Sequence, residues 1–124
     1  MIDARRFIRE RLLSVCDNVK MSKPDGDVAL PLICYAEAEN APPSPGLSGL
    51  YTRLGWRVAC YANSFEELCQ LVQGVDGVMV DDLGFTRTNK MADDQARIGT
   101  DLYLCRLTYS ALVNEQERTI LPKS

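Results

Sequence analysis

Residues 50–75 read LYTRLGWRVACYANSFEELCQLVQGV, and their hydrophobic period changes once along the way. In the first half, Leu54, Trp56, Val58 and Cys60 alternate with Arg53, Arg57, Ala59 and Tyr61. That period of two is the mark of a strand with one apolar face. At Ser64 the pattern shifts. Ser64 and Glu67 stand at capping-box spacing, in which the hydroxyl accepts from a backbone N–H of the first turn and the carboxylate reaches back to the chain entering the helix. Phe65, Leu68, Cys69, Leu71 and Val72 follow at helical steps, and Gly74 or Gly77 is the expected stop. A one-sided strand feeding a one-sided helix is the beginning of a sheet with a helical cover.

Working outward, residues 3–19 predict a second amphipathic helix. Ala4, Ile8, Leu12, Val15, Cys16 and Val19 form its apolar stripe, the arginines fall off it, and Asp3 is the candidate N-cap. Lys23-Pro24-Asp25-Gly26 is a turn signal. Residues 29–38, ALPLICYAEA, predict a strand, with Pro31 confined to its start or to an edge. Residues 39–49, ENAPPSPGLSG, are a loop, since their prolines and glycines sustain neither strand nor helix. Residues 78–88 predict a third strand bent at Gly84, residues 89–95 a polar turn, and residues 96–112 a fourth strand. In that last strand Leu102, Leu104 and Thr108 share one face and Tyr103, Cys105, Leu107 and Tyr109 the other, which suits a central position. The expected fold is α+β: a four-stranded, mainly antiparallel sheet with two helices packed on one face. Residues 1–113 form a single domain and residues 114–124 a polar tail.

Composition narrows the function. The 124 residues are 46% hydrophobic and 25% charged, with a net charge of −3, values of an ordinary globular domain. The pI near 4.9 argues against a duplex nucleic-acid binder, which carries a basic stripe. No apolar run reaches the ~20 residues of a membrane span, and the arginine-bearing start has no apolar segment of a signal peptide behind it. Five cysteines, none in a Cys-x-x-Cys pair, suit a reducing compartment and a role as small buried hydrophobes.

Histidine is absent. That removes Ser-His-Asp and Cys-His chemistry and the commonest metal ligand. The cysteine separations match no structural zinc site, although a thiol-only site assembled in three dimensions stays open at this point. Asp81-Asp82 and Asp93-Asp94 are adjacent carboxylates, which in a strand point to opposite faces and make no dyad. No cofactor, metal or catalytic residue is expected. Charge is uneven, with Arg5, Arg6, Arg9 and Arg11 on the first helix and purely acidic stretches over 24–49 and 63–85. Such blocks are either solvated faces or docking patches.

The succession of amphipathic helix, LPLICYAEA, Pro/Gly-rich loop, LGWRVACYA, NSFEELCQLVQGV and the final strand TDLYLCRLTYSALV resembles the tail terminator, or tail completion, proteins of long-tailed bacteriophages and prophage elements. The resemblance spans residues 1–113 and rests on element order and hydrophobic pattern. It implies a non-enzymatic structural protein of the virion tail, assembled in the host cytoplasm. Its copies would form a hexameric ring on the tail tube protein, stop tube growth and present a surface to a neck or head-completion protein. It implies no membrane and no specific nucleic-acid recognition, with DNA free to pass through the ring. The candidate interface residues are Arg5, Arg6, Arg9, Glu37, Glu39, Arg53, Arg57, Asp93 and Asp94. Arg5, Arg6 and Arg9 are expected against acidic groups of an adjacent subunit or of the tube, and an exposed strand edge is expected to add main-chain pairing between subunits. Another head–tail joining or neck protein, or a small cytosolic protein-binding module, is the alternative.

Overall fold

The computed structural model describes residues 4–21, 30–42, 44, 46, 49–90, 96–97, 103–114 and 119–120. In chain order the elements are α1 (Arg5–Leu12), β1 (Val19–Met21), β2 (Leu32–Ala41), β3 (Tyr51–Ala62), α2 (Phe65–Asp76), a π-helical segment (Gly77–Asp82), β4 (Thr86–Lys90), β5 (Ala96–Arg97), β6 (Tyr103–Asn114) and β7 (Thr119–Ile120). The fold is α+β with two helices and a mixed sheet in the order β1-β2-β3-β6-β4. The sheet thus has five strands on its main path, where four were expected. The addition is β1, a three-residue strand parallel to β2. It is too short to announce itself by periodicity.

The alternation in β3 fixes the rest. Antiparallel register places Ile33, Cys60 and Cys105 in one row, Tyr35, Val58 and Leu107 in the next, and Trp56, Tyr109 and Arg87 in a third. Partners in a row share a face, so this face of the sheet is continuous and apolar. Ile8 and Leu12 of α1 and Leu68, Leu71, Val72 and Val75 of α2 close over it in a single cluster. Both helices lie on that one face. Trp56 is fully buried and stacks obliquely on Tyr35, ring centroids 6.0 Å apart. Its Nε1–H is buried without an acceptor among the described residues, a cost of roughly 1–3 kcal/mol that the ring's packing must outweigh.

The capping box forms. Glu67 N donates to Ser64 Oγ at 3.2 Å and Asn63 N donates to Glu67 Oε1 at 3.1 Å. The α-helix ends at Asp76, with Gly77 of the expected pair as its cap, but the chain does not leave the helical path there. Val75, Val78, Met79 and Leu83 continue the buried face at helical steps, and the chain stays helical, widening to π geometry, as far as Asp82. Gly84, at φ 79°, ends it: Gly84 N bonds Val80 O at 3.1 Å and Phe85 N bonds Met79 O at 2.8 Å. This is the wrap-around closure that a left-handed glycine allows. The expected strand over 78–88 is therefore helix up to Asp82 and strand only from Thr86. Valine's strand preference gives way here to the core that the helical face can fill.

Other boundaries move as well. The first helix ends at Leu12, short of residue 19, and Ala4 precedes it without a side-chain cap. Asp3 and the turn residues 23–26 lie outside the described residues. β2 runs to Ala41, three residues into the expected loop. The expected fourth strand is two pieces, β5 and β6, and β6 does lie inside the sheet. Residues 119–120 of the expected tail pair with Val113 and Asn114. Because β3 pairs with β6 from residue 103 to 114, the short strands β5, β4 and β7 all occupy the other side of β6, each covering part of it. No described helix is long and apolar enough to cross a membrane.

α2 meets the turn that follows α1 at Gly74. A Cβ there would lie 2.6 Å from Val15 Cγ1. Gly74→Ala gains helix propensity of about 1 kcal/mol but forces a clash of larger size, so a net loss of about 1–2 kcal/mol is expected in urea denaturation. Val15→Ala in the same chain should recover most of that loss.

Candidate functional site

Polar chemistry inside the fold gathers where α2 meets the sheet. Asp76, at the end of α2, accepts a hydrogen bond from Tyr109 Oη to Oδ1 at 2.6 Å. Its other oxygen, Oδ2, takes the guanidinium of Arg87. Tyr109 and Arg87 are register partners on β6 and β4. Both oxygens of one carboxylate are thus held by adjacent strands. Tyr109 is fully buried. Burial first, and then its bond to Asp76, pushes the phenol well above its usual range. A shallow cleft of about 330 Å³ lies alongside, lined by Asp76, Val80, Asp81, Thr86 and Arg87. It is open to solvent and its two strongest polar groups are spent on each other, unlike a ligand pocket with convergent free donors.

The thiols give no reactive centre among the described residues. Cys16, Cys34, Cys60, Cys69 and Cys105 are thiols outside any disulfide. Cys60 and Cys105 face each other across β3 and β6 and are buried. Burial, with Cys105 and Asp76 adding to it, drives the Cys60 thiol far above its ordinary value, the opposite of an activated thiolate. No group of three or more His, Cys, Asp or Glu among the described residues is placed to hold a metal ion.

The candidate interface residues fall into three places. Arg5, Arg6 and Arg9 are exposed on α1, and Arg6 Nε pairs with Glu10 at 3.2 Å. Arg53 and Arg57 are exposed on β3 and, by parity with Trp56, point away from the helices. Glu37 and Glu39 are separated by a β-bulge. Glu37 stands in the row of Trp56, where it accepts from Asn40 Nδ2 at 3.3 Å, whereas Glu39 stands opposite Gly55 on the helix-free face. An added Cβ on Gly55 would sit 3.2 Å from Glu39 Cβ and 3.3 Å from Glu39 N, so the glycine makes room for the bulge. The structure therefore brings Glu39, Arg53 and Arg57 together and leaves the α1 arginines on the other layer. Asp93 and Asp94 lie outside the described residues.

Three further groups belong to these surfaces. Arg106 is exposed on the helix-free face, diagonal to Arg57. Its parity with Leu104 and Thr108 was available in the sequence. Lys20 joins the same face beside Cys34 through the parallel pairing of β1. Asp81 and Asp82 are exposed on the π-helical segment, a placement hidden by reading that segment as strand. No protein-family model and no curated protein matches the chain.

Tyr109→Phe keeps the ring and removes one donor from Asp76, so a loss of about 1–2 kcal/mol is expected in urea denaturation. Tyr109 and Cys60 both have folded pKa values raised above their unfolded ones. Their stabilising contribution is complete below the unfolded values, about 8.5 for a thiol and about 10 for a phenol, and is lost as pH rises beyond them. Wild-type stability should fall progressively above about pH 8.5, and the fall above about pH 10 should be shallower in Tyr109→Phe.

Proposed function

We propose that the chain is a structural subunit of a bacteriophage tail, a tail terminator whose copies close into a six-membered ring on the tail tube, stop its growth and offer a surface to the head or neck. The reading takes its family from the order of elements and its mechanism from one observation, the separation of charge across the width of the sheet. α1, with Arg5, Arg6, Arg9 and Arg11 exposed, packs by β2 near the β1 end of the strand order. The π-helical segment, with Asp81 and Asp82 exposed, packs by β4 at the other end. A head-to-tail contact requires two different, complementary patches on one subunit, and a ring requires that the rotation between them closes. Opposite charge supplies register and a fast encounter more than raw affinity.

The interior supports an assembly role over a chemical one. Asp76 serves to hold strands to a helix, and the thiols of Cys34 and Cys60 are held protonated chiefly by burial. The exposed apolar side chains Phe7 and Leu13 lie on and just after α1. They add a greasy component to the basic patch, as interfaces require at their centre.

In light scattering the full chain should have the mass of a closed ring, and adding it to polymerising tail tube protein should give capped tubes of limited length in negative-stain images. The triple Arg5→Glu, Arg6→Glu, Arg9→Glu variant should drop to monomer with its circular dichroism unchanged, as should Asp81→Lys with Asp82→Lys. Mixing the two variants should restore a ring, because every acidic edge then meets a basic one. A wild-type chain that is monomeric at high concentration, or variants that keep the ring mass, would overturn the reading.

A further inference from the structure

The helix-free face of the sheet is covered at one end and open at the other. Leu32, Cys34 and Leu104 are buried on it, whereas Glu39, Arg53, Arg57 and Arg106 are exposed. Register fixes their arrangement. Glu39 lies opposite Gly55, hence diagonal to both Arg53 and Arg57, and Arg106 is diagonal to Arg57 on the other side. Diagonal neighbours are about 7–8 Å apart at Cα. The floor between them is low, formed by Ala36, Gly55, Ala59 and Ser110. Among the described residues no side-chain hydrogen bond or ion pair engages Arg53, Arg57 or Arg106.

We propose that this open face is a docking surface for an acidic segment of another protein, whose carboxylates seat on Arg53, Arg57 and Arg106 with Gly55 and its small neighbours as the floor. Three planar guanidinium forks on one face of a sheet suit carboxylates, which they can grip through two parallel hydrogen bonds each. A nucleic-acid strand fits less well. Its phosphates recur at every step and cannot avoid Glu39, while a protein segment can place a neutral donor there. The α1 arginines belong to the other layer, so this surface is independent of the ring contact proposed above.

The test is fluorescence anisotropy of a labelled peptide of alternating glutamate and serine, about ten residues long, titrated with the full chain at low salt. The triple Arg53→Gln, Arg57→Gln, Arg106→Gln variant should weaken binding about tenfold or more, with an unchanged thermal melt. Glu39→Gln, which keeps every arginine, should tighten it severalfold. The triple Arg5→Glu, Arg6→Glu, Arg9→Glu variant, whatever its oligomeric state, should bind the peptide as wild type does. A single-stranded oligonucleotide of equal length binding more tightly than the peptide would reassign the face to nucleic acid and overturn the proposal. So would self-association that the glutamine variant loses while peptide binding stays unchanged, or peptide binding indifferent to both the glutamine variant and Glu39→Gln.

Discussion

The carboxylate of Asp76 is shared between the phenol of Tyr109 and the guanidinium of Arg87, so the end of α2 is tied to two neighbouring strands at once. Apolar packing alone lets a helix slide along a sheet, because dispersion and burial are non-directional. A carboxylate with two fixed donors does not permit that. Once Asp76 is placed, Val75, Val78 and Met79 are set over the core, and the helix that continues past it delivers Asp81 and Asp82 to the β4 side. The surface charge that the proposed ring contact depends on is thus positioned by a half-buried polar joint. Such a joint contributes modestly to stability when complete and is costly when halved.

On the proposed reading, function is a matter of how two surfaces are kept apart. The helices take up one face of the sheet, which leaves the open end of the other, with Arg53, Arg57 and Arg106, for the proposed partner. The helix layer is itself divided into a basic side at α1 and an acidic side at the π-helical segment. In the proposed assembly, the charged patches of the helix layer would meet copies of the chain while the arginine-bearing face meets something else.

Much of the fold was legible in the sequence because it depends on parity and spacing. The alternation in β3 and β6 and the Ser64–Glu67 cap act over a few residues, so the pattern reports them directly. The failures have physical causes of other kinds. Val78, Met79 and Val80 read as strand, and only a core able to use Val75, Val78, Met79 and Leu83 as a single helical stripe decides otherwise. Glu37 and Glu39 would share a face in a regular strand; the bulge, which leaves Ala38 without a register partner, separates them. The joint of Asp76, Arg87 and Tyr109 spans 33 residues of sequence between Tyr109 and Asp76 and leaves no local trace. The arginines of the open face were half visible: Arg53 and Arg57 stood out in the quoted stretch, while Arg106 was hidden among apolar neighbours.

The outer side of β6 is satisfied in instalments by β5, β4 and β7. Of these, β4 is five residues long and slips register between Arg87 and Asn89, and β1 at the opposite margin has three residues. A strand from another molecule meets no long uninterrupted ladder at either margin among the described residues. Zipping of backbones into open-ended fibres is thereby discouraged. In the proposed ring, recognition between copies would then rest chiefly on side chains, whose fit can require closure after a set number of subunits.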